Sequence, residues 1–425
     1  MGRRFPFDDG ALGSLPIWHE PDLEGRMPWY RAVADNRAPA KFRIAARVPV
    51  AVALDAPEEE LWLELDARMP QFLESWAAVR GGGRLPPRGH KNASLLDLAR
   101  ELAYRMLEHC NFCRYDCRVD RSRAARFGTC KLGAASRVSS FFHHLGEELV
   151  YRGTRGSGTI FFTSCNMRCA FCQNGDISTD KDNGRVTTPR ALATMAWLLR
   201  MEGCHNINWV GGDPTIHLHT IVHAISLLED FEPARADLDA VLPVKADGYF
   251  GFLLDRSYGE HEGAFNAPML WNSNFFMSPE AMKLLRLVMD VWLPDFKFGP
   301  GRCAPLLAKT PFYWETVTEN LRLMREWGED FTIRHLVMPE HLECCTRPVL
   351  EWIAANMPEA PVNIMDQYHP DNFCDPANPK FNEKYRPLAR RARREEILGA
   401  YRYGRELGIR FTALSYEKNQ TGLRV

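Results

Sequence analysis

From about residue 157 onward, short apolar runs alternate with longer amphipathic stretches. The runs are "GTIFFT" (158–163), "NINWV" (206–210), "PMLWNS" (268–273), "VWLPDF" (291–296), "FTIRHLV" (331–337) and "PVNIMD" (361–366). Their length and their content of β-branched and aromatic side chains predict buried strands. Each precedes a polar or Gly/Pro-rich turn and then a helical pattern, such as "PRALATMAWLLRMEG" or "PFYWETVTENLRLMREWG". Strand and helix in alternation predict parallel βα units, and six of them predict an α/β fold, a partial (β/α)6 barrel. Chemistry in such barrels collects at the C-terminal ends of the strands.

Before residue 157 the pattern is weaker. Residues 1–105 contain one clear helical stretch, "EEELWLELDARMPQFLESWAAV", and a linker, "RGGGRLPPRGHKN", and point to no particular role. A cysteine-rich segment covers 106–156, the barrel 157–415, and a short tail 416–425. The connection ahead of "PMLWNS" is long for a βα unit, so about 245–266 is read as an insertion. Near the C-terminus, "YRPLARRARREEILGAYRYGRELG" predicts one helix with a solvated face of mixed charge.

Composition narrows the classes of partner. Among 425 residues, 53 basic side chains face 54 acidic ones, a net charge of −1. Such a balance creates no field drawing the chain to nucleic acid or to an acidic membrane. Apolar runs stop far short of the roughly 20 residues that span a bilayer. Asp8 and Asp9 fall where a signal peptide needs its apolar core, so a cytoplasmic protein is expected.

Seven of the twelve cysteines fall into two tight clusters, which in a reducing compartment suggests metal binding over disulfides. Cys165, Cys169 and Cys172 follow the first predicted strand in the stretch "SCNMRCAFCQN". Three thiolates on a short loop can grip three corners of a cubane iron–sulfur cluster and leave one iron without a protein ligand. An open corner is where a small molecule binds and reacts. A zinc site completed by a distant cysteine or histidine is the plainer alternative.

The stretches "GSGTIFFTSCNMRCAFCQNGDIS", "WVGGDPTIHL", "LWNSNFFMS", "WLPDFKFG", "RHLVMP" and "VNIMDQYHP" follow one another in a distinctive order. On these residues the chain resembles the radical S-adenosylmethionine superfamily, and within it proteins related to pyruvate formate-lyase activating enzyme. The resemblance implies a [4Fe-4S] cluster on Cys165, Cys169 and Cys172, with Phe171 beside it and S-adenosylmethionine on the open iron. It also implies reductive cleavage to methionine and a 5′-deoxyadenosyl radical, fed by a one-electron reductant such as flavodoxin or ferredoxin.

Further candidates sit at the later strand ends. Gly211 and Gly212 allow a close approach to a ligand, and Asp213 can accept from an ammonium group. The superfamily usually has Glu at the position of Asp213. Asn272 and Asn274 both donate and accept, which suits a ribose or a carboxylate. Asp295 and Lys297 resemble an Asp-x-Lys pair near the methionine moiety, or else close the barrel rim as a salt bridge. Arg334 can hold a carboxylate by its planar fork. Its neighbour His335 must face the other way, while Asp366 and Gln367 would line the substrate mouth.

Cys110, Cys113, Cys117 and Cys130 are spaced for a closed four-thiolate site, holding zinc or an auxiliary iron–sulfur cluster. Cys204, Cys303, Cys344, Cys345 and Cys374 show no comparable spacing and are read as packing residues. Three functions compete. One is a radical enzyme that activates a glycyl-radical enzyme or modifies a partner protein. The second applies the same chemistry to a small molecule or peptide. The third is an electron-transfer or zinc-binding module without turnover.

Overall fold

In the computed structural model, residues 11–87, 93–123, 126–247 and 254–416 are described. Strand β1 (Ser136–His144) arises within the cysteine-rich segment and runs antiparallel to β2 (Ser157–Phe162). A short β3 (Arg185–Thr187) pairs antiparallel with the other edge of β1. Neither β1 nor β3 was among the expected strands. β1 is half polar, "SRVSSFFHH", because it lies outside the parallel set and presents one side to solvent.

The six expected strands are all present. β2 is followed by β4 (Ile207–Gly211), then by a small hairpin of β5 (Glu260–His261) and β6 (Ala264–Phe265). After it come β7 (Met269–Ser273), β8 (Val291–Pro294), β9 (Ile333–Leu336) and β10 (Val362–Met365). The main sheet has the order β3-β1-β2-β4-β7-β8. Parallel bridges Trp292–Phe331 and Asp295–Arg334 continue it to the β9–β10 pair. The hairpin falls within the 245–266 excursion, whose residues 248–253 lie outside the described part.

The register separates the side chains into two faces. Ile160, Trp209, Trp271, Trp292 and Ile364 join the large apolar cluster with the surrounding helices, among them Pro189–Met201 and Tyr313–Trp327. On the inner face, Leu270, Val291 and Leu293 pack on Leu12, Trp18, Met27 and Tyr30. Part of the N-terminal region therefore fills one end of the barrel interior. Its remaining helices, including Glu58–Arg80 and Leu95–Arg105, share the large cluster with the barrel helices.

A buried charge joins the two regions. Lys41 Nζ lies 2.5 Å from Glu329 Oε2, and both side chains are fully buried. The indole N–H of Trp292 donates to the same oxygen, and the Lys41 ammonium sits over the ring of Trp76. Nearby, Asp290 accepts from Trp29 Nε1 and from the backbone N–H groups of Lys41 and Met269. Burial pushes the Asp290 carboxyl up to about 6.

The C-terminal helix is shorter than expected. A 3₁₀ turn, Glu383–Leu388, contains Pro387, and the helix proper is Arg394–Glu406. Proline gives no N–H and crowds the preceding turn. The helix begins instead where Glu396 accepts from the N–H of Arg393 at 2.6 Å. Residues 417–425 of the expected tail lie outside the described part. Among the described residues, no helix is long and apolar enough to cross a membrane.

Removing one partner of a fully buried ion pair strands the other charge, whereas replacing both with apolar groups does not. Lys41→Met is therefore expected to lower unfolding stability by about 3–5 kcal/mol in a urea titration. The double variant Lys41→Met/Glu329→Leu should recover most of that loss. A single variant within about 1 kcal/mol of wild type would show that the pair does not hold the N-terminal region in place.

Candidate metal and cofactor site

The loop after β2 is fixed by backbone contacts on several sides. Ser164 takes a left-handed φ of 65°. Its N–H donates to Ile177, and its carbonyl accepts from the N–H of Asp213 at 3.1 Å. The N–H of Gly212 donates to the Phe162 carbonyl at 2.8 Å. On the opposite side, the N–H groups of Arg168 and Ala170 donate to Ala308 and Leu307 at 2.9 and 2.7 Å.

These contacts account for the paired glycines. A Cβ at residue 212 would lie 1.7 Å from the Ser164 carbonyl oxygen. At residue 211, where φ is +119°, a Cβ would lie 2.2 Å from the Phe162 nitrogen. Only glycine permits two strand-end loops to approach this closely.

Burial pushes the three thiols of the loop upward: Cys165 well above the usual thiol value, Cys169 to about 12, and Cys172 in the same direction. The charges of Asp213, Cys169 and Cys172 raise Cys165 further, whereas the Lys297 ammonium pulls Cys169 back down. Donors surround the sulfurs. The N–H of Met167 reaches Cys165 Sγ at 3.3 Å, Ser178 Oγ reaches Cys172 Sγ at 3.2 Å, and Asn274 Nδ2 lies 3.6 Å from Cys165 Sγ. Mutually repelling buried thiols with N–H and O–H donors aimed at them fit a site that becomes thiolate when a polynuclear cation is bound. Phe171 is buried beside the loop, its ring near those of Phe298 and Tyr368.

Asp213 is occupied by its own surroundings. One oxygen accepts from the N–H of Thr215 at 2.9 Å and the other from the N–H of Asn274 at 3.0 Å. Burial raises this carboxyl to about 6. The short side chain ties the ends of β4 and β7 together. Asn274 in turn donates to Asn166 Oδ1 at 2.7 Å, so it braces the cysteine loop.

Asp295 and Lys297 form an ion pair at the end of β8, each side chain still partly exposed. Tyr313 holds the pair in place: its hydroxyl donates to the Asp295 carbonyl at 2.8 Å and accepts from the N–H of Lys297 at 3.1 Å. Burial alone would lower the Lys297 ammonium, but the interactions with Asp295 and Cys169 outweigh it and the net shift is upward. A cation is therefore held beside the sulfur loop.

Arg334 points inward and His335 outward, as strand alternation requires. His335 is buried between the Phe296 carbonyl and Thr346 Oγ1. The Arg334 guanidinium is engaged by two carboxylates that the sequence reading did not single out. It pairs with Glu147, donates through Nε to Glu148 at 2.9 Å, and lies 3.5 Å from Asn272 Oδ1. Asn363 donates to Glu148, and Asn208, Asn272 and His144 complete the shell of Glu147. Burial would raise the Glu147 carboxyl, but Arg334 and His144 hold it well below the usual range. The adjacent acids in "LGEELV" after β1 were the available signal, yet their destination depends on the fold.

At the last strand, Asp366 and Gln367 are exposed, and the Gln367 carbonyl accepts from Gln173 of the cysteine loop. The upstream cysteines lie against that loop. Ser164 Oγ donates to the Cys130 carbonyl at 2.6 Å, and Arg168 Nη2 donates to the Thr129 carbonyl at 2.6 Å. Buried Arg121 lies 3.9 Å from Cys110 Sγ while donating to the Gly133 carbonyl. Cys110 and Cys113 are raised by burial first, with further contributions from the charges of neighbouring cysteines.

Cys204 and Cys374 are buried, in keeping with packing. The packing reading fails for Cys303 and Cys344. Together with His341 they form a group whose ligand atoms all lie within 4.8 Å of one another. The chain separates Cys303 from the other two by an entire βα unit, so no spacing motif announces the group.

Gly212→Ala is expected to displace the Ser164 carbonyl and to reduce iron retention after anaerobic reconstitution about tenfold or more. Gly301→Ala, where an added Cβ meets no atom within 4 Å, serves as the control. Equal iron and sulfide content in the two variants would contradict the role given to the loop contact.

Comparison with known proteins places this geometry in context. The profile of the Radical SAM superfamily matches residues 159–353. "Uncharacterized protein MJ0674" of Methanocaldococcus jannaschii is 33% identical over 373 residues, covering 87% of this chain and 94% of the relative. Among solved structures, Streptococcus suis SuiB bound to precursor peptide SuiA aligns with a TM-score of 0.36 at 10% identity, over 59% of this chain and 46% of SuiB. The chain thus spans about half the length of SuiB. anSMEcpe with bound AdoMet aligns with a TM-score of 0.35 at 15% identity, over 62% of this chain and 61% of that one. At these scores the likenesses are partial, and nothing about substrate follows from them.

Proposed function

Because the chain belongs to the radical S-adenosylmethionine superfamily, we propose that Cys165, Cys169 and Cys172 hold a [4Fe-4S] cluster with one corner open to S-adenosylmethionine. When bound, the two supply one-electron cleavage to methionine and a hydrogen-abstracting 5′-deoxyadenosyl radical, chemistry beyond any side chain. The observation that carries this reading is the sulfur loop itself. Cys165 receives donors from Met167 and Asn274, Cys172 receives one from Ser178, and the Lys297 ammonium acts on Cys169 and Cys172.

The other residues supply recognition and enclosure. Asp295 and Lys297 present a carboxylate and an ammonium side by side, a pair able to exchange partners with the amino and carboxylate groups of a methionine moiety. Backbone groups of Gly211 and Gly212 line the approach, while Asp213 acts through the backbone it holds. The layer of Glu147, Glu148, Arg334 and Asn272 lies on the inner face, with Asn272 within β7 and Arg334 within β9. Its charges pair with one another, so this layer closes the barrel interior without leaving a lone charge for water to follow. Excluding water matters wherever a reactive radical is released.

For the substrate, the reading is hydrogen abstraction from a partner protein, supported by the run of motifs resembling activating enzymes. Flavodoxin or ferredoxin is the proposed electron source. The upstream Cys110, Cys113, Cys117 and Cys130 are proposed to hold a second metal, zinc or an auxiliary cluster.

The test is anaerobic reconstitution with iron and sulfide, reduction, and chromatographic assay of 5′-deoxyadenosine. Cys169→Ser is expected to lower its formation about a hundredfold or more. Cleavage retained in that variant would refute the assignment. Deuterium transfer from a labelled protein into 5′-deoxyadenosine would support the partner-protein reading; transfer only from a metabolite would replace it.

A further inference from the structure

A second set of metal-binding donors lies outside the radical site, on the connections after β8 and β9. Cys303 begins the short helix Cys303–Ala308, and Cys344 and Cys345 occupy one π-turn, Leu342–Thr346, with His341 just before it. His341 Nδ1 is 2.6 Å from the Pro339 carbonyl. A carbonyl can only accept, so Nδ1 carries the proton and Nε2 keeps its lone pair. Ligating histidines are commonly oriented in this way, by a hydrogen bond from the non-ligating nitrogen.

The sulfur separations discriminate between two fates of the cysteines. Cys303 Sγ is 3.5 Å from Cys344 Sγ, and Cys344 Sγ is 3.9 Å from Cys345 Sγ. A disulfide would bring two sulfurs to about 2.05 Å. A tetrahedral ion with Zn–S bonds of about 2.3 Å keeps them about 3.8 Å apart. Both observed spacings match the second geometry. Three soft donors and one imidazole also select zinc over calcium or magnesium.

We propose that Cys303, His341 through Nε2, and Cys344 form a structural zinc site distinct from both cysteine clusters of the sequence motifs, with Cys345, whose sulfur lies 3.9 Å from Cys344 Sγ but outside the close group, as the available fourth donor. The thiols release their protons to solvent as the ion binds. Its place in the fold indicates what it does. The two connections already touch there, since a Cβ at Gly299 would lie 2.1 Å from the Cys344 carbonyl oxygen. At its far end, the helix Cys303–Ala308 offers the Leu307 and Ala308 carbonyls to the sulfur loop. The ion clasps one end of the helix whose other end braces that loop.

The site is tested on full-length protein purified anaerobically, by zinc content per chain. Single variants His341→Ala and Cys344→Ser, which leave Cys110, Cys113, Cys117 and Cys130 untouched, are each expected to lose one equivalent of zinc relative to wild type. A second measurement uses the unmodified chain. Exposed Cys344 should react with N-ethylmaleimide about tenfold faster after a chelator has removed the metal, as read by peptide mass mapping. Equal zinc in all three proteins would overturn the proposal, as would an unchanged alkylation rate or a Cys303–Cys344 disulfide in the unreduced map. None of these readouts depends on S-adenosylmethionine cleavage, so failure here leaves the reading of Cys165, Cys169 and Cys172 standing.

Discussion

The organisation of the site depends on a close approach between two backbones. The turn at Gly211 and Gly212 lies so near the Phe162–Ser164 strand end that a single added carbon would collide with a carbonyl oxygen. Two hydrogen bonds cross this contact, from Gly212 to Phe162 and from Asp213 to Ser164. They set the direction in which the sulfur loop leaves the sheet. Asp213 extends the restraint to β7 through Asn274, whose amide returns to Asn166 and Cys165. Three strand ends are thereby tied to the one loop that carries all three thiols.

Beneath this, charge arrangement controls the barrel interior. Arg334 would be costly to bury alone, and so would Glu147 and Glu148. Together, with amides from Asn208, Asn272 and Asn363, they form a network in which each charge has partners. Tyr30, Trp18 and Leu12 fill the space below with apolar volume. A polar layer therefore lies over an apolar plug. The N-terminal region, obscure in composition, is thus part of the barrel's interior packing.

Much of this was legible because strands and cysteine loops are written locally. Short apolar runs announce β2, β4, β7, β8, β9 and β10 in a few residues each, and Cys165, Cys169 and Cys172 sit within one loop. The half-polar β1 lacks a buried strand's signature. Pro387 was present in the sequence, yet the surrounding helical pattern outweighed it. Asp213 and Arg334 look from their position like cofactor contacts, and only the paths of neighbouring segments reveal that backbone N–H groups and two glutamates already engage them.

The sequence by itself determined the βα alternation, the three-thiol loop and the glycine pair beside it, since each rests on spacing within one turn or one strand. Tertiary structure alone decided which charges meet across the barrel and that Cys303 meets His341 and Cys344. Those encounters join residues far apart along the chain, where side-chain identity carries no record of distance until the sheet has brought its connections together.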